Sequence, residues 1–189
     1  MHRRQTLHTV VILIVALGTA ACGDDPFALR WTENPEEVTI QSLDRPGPQV
    51  RAGFNLFERT PVRIEAPQTG GRWDFALERE GETLRLLPPR TMGIQDSSAG
   101  ISPMEGAQWD DIREAPRDTT AYTFDEPVPV RDGTIYVVRT HEQAGSFGRR
   151  CIYYGKLEPV VVDVERGALT FRFDVNPDCN NRSLVPPGS

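Results

Sequence analysis

From residue 38 onward the chain alternates apolar and polar residues with a period of two. Val38 and Ile40 alternate with Thr39 and Gln41, and Val62, Ile64 and Ala66 with Arg63 and Glu65. Trp73, Phe75 and Leu77 alternate with Asp74 and Glu78, and Leu84 and Leu86 flank Arg85. This spacing puts the apolar side chains of each run on one face of a strand. Gly70-Gly71 and Glu80-Gly81-Glu82 supply turns between the runs. The last third carries the strongest pattern. Residues 133–141 and 151–158 read as strands. Val160, Val162 and Val164, then Leu169, Phe171, Phe173 and Val175, form a hairpin about Arg166-Gly167. No stretch of a dozen residues has helical periodicity. The expected fold is all-β, a single-domain antiparallel sheet or sandwich over 37–180.

Between 88 and 132 the pattern fades. Gly93, Gly100, Pro103, Gly106, Pro116, Pro127 and Pro129 interrupt it, and only Ala121-Tyr122-Thr123-Phe124 hints at a strand. This predicts a long irregular loop, a feature often tied to function. The tail, 181–189, is expected to be loose.

The N-terminus is built differently. A basic start, Arg3-Arg4, precedes an apolar run from Val10 to Leu17, too short for the roughly 20 helical residues that span a bilayer. Small residues follow, Gly18-Thr19-Ala20-Ala21, and then Cys22. This order describes an export signal over 1–21. It resembles the lipobox of bacterial lipoproteins, with Thr19 where that motif usually has Leu. The resemblance implies that Cys22 carries lipid and begins the mature chain. Residues 22–36, polar and rich in Asp, Glu and Pro, then read as a tether. Several acyl chains make a stable anchor. The expected location is the cell envelope, with the outer membrane favoured because Gly23, not Asp, follows the cysteine.

Export changes the composition that matters. Two of the 21 basic residues and none of the 27 acidic ones precede the cut, leaving a side-chain net charge of −8. Such a surface repels nucleic acid, which is excluded as a partner. Cys151 and Cys179 remain. In an oxidising compartment they are expected to pair; two buried free thiols are the alternative. Their spacing supports neither a redox CxxC nor a zinc site.

Little catalytic chemistry survives maturation. His2 and His8 leave with the signal, so His141 is the one histidine left to serve a Ser-His-Asp or Cys-His system. No Gly-x-Ser-x-Gly elbow, calcium loop or phosphate-cradling glycine motif is present. His141 reads as a solvated residue at a strand end. Lys156, the single lysine beside 20 arginines, reads as snorkelling from a sheet edge rather than as a nucleophile. The arginine excess is not read as phosphate recognition. Asp110-Asp111 and Glu36-Glu37 read as solvated loop charges. Trp31 and Trp109, in polar sequence, are expected to pin loops onto the core or to cap a ligand.

Four stretches in order resemble the HmuY family of heme-binding bacterial lipoproteins. They are Arg72–Leu77, Trp109–Pro116, Tyr136–Thr140 with Tyr154–Leu157, and Leu169–Phe173. The resemblance implies an all-β fold and heme capture by paired axial His or Met ligands from loops between the second and third elements. His141 follows the third element, and the segment 117–132 holds neither His nor Met. The candidate ligands are therefore Met92 and Met104, in the earlier loop.

These readings lead to a non-enzymatic, lipid-anchored β-domain that binds a small ligand or an envelope protein. No resident cofactor or metal is expected. Heme binding of the HmuY type and an enzyme using His141 are the alternatives.

Overall fold

The computed structural model describes residues 31–188 apart from 46, 48 and 66–69, so the expected signal peptide, Cys22 and Ala66 lie outside the described residues. The chain is all-β, with two five-stranded antiparallel sheets in a sandwich-like arrangement. One sheet contains β1 (Glu36–Gln41), β6 (Gly100–Glu105), β8 (Thr134–Arg139), β11 (Tyr154–Asp163) and β12 (Ala168–Val175), in the order β1-β12-β11-β8-β6. The other contains β2 (Gly53–Asn55), β3 (Thr60–Val62), β4 (Phe75–Glu80), β5 (Thr83–Leu87) and β7 (Val128–Pro129), in the order β3-β2-β4-β5-β7. A small hairpin, β9 (Gln143–Ala144) and β10 (Arg150–Cys151), stands apart from both.

Period two builds the core between the sheets. Leu169, Phe171, Phe173 and Val175 of β12 face Phe54, Phe75, Leu77, Leu84 and Leu86 of the opposite sheet. Phe171 and Phe173 meet the Phe54 ring edge-on at centroid distances of 5.2 and 4.9 Å, the geometry aromatic quadrupoles favour. Gly155 of β11 is fixed by crowding: a Cβ there would lie 2.3 Å from the Asp174 carbonyl oxygen and 2.9 Å from Leu56.

The outer faces are covered too, which explains the apolar run Ile135–Val138. Tyr136 and Val138 point into the central core. Ile135 and Val137 point outward, onto Trp109, Ile112, Ala115, Tyr122 and Leu184. On the other sheet Ala76 and Leu87 turn outward to Trp73, with Ile94 packed over them.

Several expectations are corrected here. The 88–132 segment is irregular over much of its length, as expected, but it is not without strands. It holds β6, β7 and short 3-10 turns, and residues 109–122 form the lid on the outer sheet face. Pro103 hid β6, yet as an edge strand β6 tolerates proline. The tail is pinned: Leu184 is buried, and Ser183 pairs with Glu114. The tether ends sooner than 36, because Glu33 and Asn34 already bond to the domain and β1 begins at Glu36. Trp73 leaves the face shared by Phe75 and Leu77. Val160 leaves the face of Val162 and Val164, because a bulge between Pro159 and Val161 shifts the register.

Candidate functional site

Asp74 lies just before β4, between Trp73 and Phe75, with no exposed surface. Its Oδ2 accepts the Leu56 backbone N–H at 2.7 Å. Its Oδ1 accepts the His141 backbone N–H at 2.8 Å and faces His141 Nδ1 at 2.7 Å. Where the carboxylate is ionised it can only accept, and Nδ1 is then the donor. His141 is buried, not solvated as its sequence suggested. The pair has the spacing of the base and orienting acid of a catalytic triad. Among the described residues, however, no hydroxyl or thiol is hydrogen-bonded to the other imidazole nitrogen. The arrangement ties the end of β8 to the sheet carrying β2 and β4, and it is a clamp between layers.

Lys156 also departs from its expected place. It stands on β11, a central strand, and only 1% of it is exposed. Its Nζ donates to the Trp109 carbonyl at 2.7 Å and lies 4.5 Å from the centroid of the Trp109 ring. The Arg172 guanidinium lies 4.3 Å from the same ring centroid, and Trp109 Nε1 donates to Glu33 Oε1 at 3.1 Å. Burial pulls the Lys156 pKa below the usual lysine value, and Glu33, 3.9 Å from Nζ, opposes that shift. A buried ammonium thus holds the lid segment by its carbonyls. Trp109 pins a loop, and so does this lysine.

The titratable groups of a third cluster face solvent. The turn after β1, Arg79 of β4 and the β11–β12 turn enclose a hollow of about 310 Å3 lined by Asp44, Arg45, Arg79, Glu165 and Arg166. Arg79 is committed: Nε donates to Asp44 Oδ2 at 2.9 Å, and Nη1 to the Glu165 carbonyl at 3.0 Å. Arg45 uses one N–H, from Nη1 to the Arg166 carbonyl at 3.0 Å. Arg166 reaches Asp163 only at 3.4 Å. Arg45 and Arg166 therefore retain guanidinium N–H groups with no acceptor among the described residues. Three arginines line the hollow beside Asp44 and Glu165, with Asp163 next to Arg166, so cationic donors and carboxylate acceptors stand side by side. Sequence reasoning missed it because its members come from three separate turns and strands.

The remaining expected site residues are dispersed. Met92 ends a 3-10 turn and is partly exposed, while Met104 packs beside the Trp109 cluster. Axial ligation needs two side chains facing each other across a heme-sized slot. These two have different surroundings, Met92 exposed on a turn and Met104 packed against the Trp109 cluster, and the arginine-lined hollow includes neither. Among the described residues no group of three His, Cys, Asp or Glu is placed to hold a metal ion. Cys151 and Cys179 are disulfide-bonded, with Cα atoms 5.0 Å apart. The bond ties β10, and with it the 143–151 hairpin, to the chain after β12.

No protein-family model, curated protein or solved structure matches this chain.

Proposed function

We propose that the chain is an exported, lipid-anchored binding domain of the bacterial cell envelope, without catalytic activity, that takes a small acidic ligand in its arginine-lined hollow. The hollow carries this reading. Asp74–His141 and Lys156 are spent on holding layers together, whereas Arg45 and Arg166 keep guanidinium N–H groups with no acceptor among the described residues, beside an open cavity. Guanidinium donors suit carboxylate and phosphate oxygens. Glu165 and Asp44 add acceptors, so a ligand bearing a donor next to its acidic group fits best. Anchorage through Cys22 rests on the order of the first 22 residues.

Thermal unfolding with rising inorganic phosphate or glutamate tests the reading. A ligand that binds only the folded state raises Tm with concentration. The expected result is a rise in the wild type that is lost in Arg45→Gln/Arg166→Gln. An equal rise in the variant is a general salt effect and sinks the assignment, as does no rise at all.

A further inference from the structure

The strand registers divide the domain into two ends. In the sheet that contains β1, one end holds the start of β1, the end of β12, the start of β11, the end of β8 and the start of β6. Glu36 is opposite Phe173, Tyr154 opposite Arg139, and Gly100 opposite Arg139. The chain arrives at this end from its N-terminus: the Asn34 backbone N–H donates to Asp174 Oδ2, one residue from the end of β12. The hairpin 143–151 leaves from the same end, directly after β8, and Cys179 ties it to the chain beyond β12. The arginine-lined hollow lies at the opposite end, by Asp44 and the turn following Asp163.

At the tip of this hairpin stands Phe147, which is fully exposed at 103% of its reference area, while among the described residues the next most exposed large apolar side chain, Val161, reaches 53%. Its φ of 58° lies in the left-handed region; Gly148 follows it and Gly145 stands two residues before it. Exposed Arg149 and Arg150 follow it, Arg150 pairing with Glu142 at the hairpin's base. An aromatic tip backed by two guanidinium groups matches a phospholipid interface, where the ring enters the acyl boundary and the cations meet phosphates.

We propose that Phe147, Arg149 and Arg150 form a membrane-dipping finger that contacts the bilayer in which the Cys22 lipid sits. The proposal rests on the lipid-anchor reading above. Three observations select a membrane over a protein partner. The finger and the N-terminal arrival share one end of the domain. Cys22 lies only nine residues before Trp31, and an extended chain spans at most about 3.5 Å per residue, so an anchored domain stays close to the bilayer. The finger's charge is opposite in sign to that of the whole acidic chain, as contact with anionic lipid requires. The anchored domain thus has a fixed orientation, its finger toward the bilayer and its hollow away from it.

The test uses the full chain purified from membranes and reconstituted into phosphatidylethanolamine–phosphatidylglycerol vesicles, with and without acyl-brominated lipid. Phe147→Trp places an indole at the tip, and the wild type gives the background of Trp31, Trp73 and Trp109. The expected result is added emission that is blue-shifted and quenched by the bromines. Unlipidated Cys22→Ser protein should bind vesicles of the same composition weakly. Phe147→Ala should lower that binding roughly tenfold, the effect of losing about one buried aromatic contact. Arg149→Gln should lower it about fivefold on anionic vesicles and leave neutral phosphatidylcholine vesicles unchanged. Unshifted, unquenched emission in the anchored protein overturns the finger while the anchor stands. Blue-shifted emission that bromines do not quench points to a protein pocket and overturns it as well. If Cys22→Ser fractionates with cell membranes as the wild type does, the anchor reading fails. Bromine quenching with added vesicles then still decides for or against the finger.

Discussion

Replacing Asp74 by Asn keeps the side chain's size and removes its charge. The carboxylate takes three hydrogen bonds at 2.7–2.8 Å with no solvent contact. The amide oxygen of Asn can keep the two His141 donors. Its NH2 then faces the Leu56 N–H, donor against donor. One charge-assisted bond, worth about 1.5–3 kcal/mol, is lost, and one buried N–H is left unpaired at about 1–3 kcal/mol. Local rearrangement offsets part of this, so the expected cost is about 3 kcal/mol, a large share of the roughly 5–15 kcal/mol that holds a domain together. Asp74→Ala, which strands all three donors, should cost more. Urea unfolding followed by circular dichroism measures both. The slope of free energy against denaturant should be unchanged, with the midpoint displaced. An Asp74→Asn protein within about 0.5 kcal/mol of wild type, the range of ordinary surface substitutions, would refute the clamp.

Three further outcomes follow from the same geometry. Because burial lowers the Lys156 pKa in the folded state, the unfolded chain binds more protons between that lowered value and about 10.5, so this group's contribution to stability grows as pH rises. Stability of wild type relative to Lys156→Met should therefore increase from pH 7 to 10, and a flat difference contradicts the lowered pKa of the buried lysine. Reducing the Cys151–Cys179 bond, which closes a separation of 28 residues, should lower unfolding free energy by about 3–4 kcal/mol on the chain-entropy account; denaturant titration with and without reductant reads this, and a loss below about 1 kcal/mol argues against it. Among the described residues, 158–163 of β11 have no strand partner on the β8 side, since β8 pairs only with Tyr154–Leu157. Counting by twos from the Asn176 N–H bond to the Tyr154 carbonyl, the Pro159 nitrogen faces that open edge and denies it a donor, a known defence against edge-to-edge pairing. Pro159→Thr should increase self-association in light scattering, and unchanged scattering removes this role.

The sheets were legible where the period of two is unbroken. Leu169, Phe171, Phe173 and Val175 all face the core as their spacing implies. Legibility failed where a residue's surroundings come from far along the chain. His141 looked solvated because its partner, Asp74, is 67 residues away. Lys156 looked like an edge residue because the carbonyls it binds belong to a segment with no strand pattern. Both had a local signal. Asp74 stands between two aromatics, an unusual place for a solvated carboxylate, and Lys156 sits between Gly155 and Leu157 in a strand with partners on both sides. The irregular segment was misread for a related reason. Trp109, Ile112, Ala115 and Tyr122 follow neither a helical nor a strand period, because they cover a sheet rather than join one. The hollow has no linear signature, since Asp44, Arg79 and Glu165 meet only through folding.

The reading of this protein as an anchored binding domain depends most on Cys22. Mass spectrometry of the N-terminal peptide from membrane-purified protein tests it directly. The expected product is a chain that begins at Cys22, with a diacylglycerol group on its sulfur. A chain that begins at any other residue, or an unmodified Cys22 thiol, contradicts it.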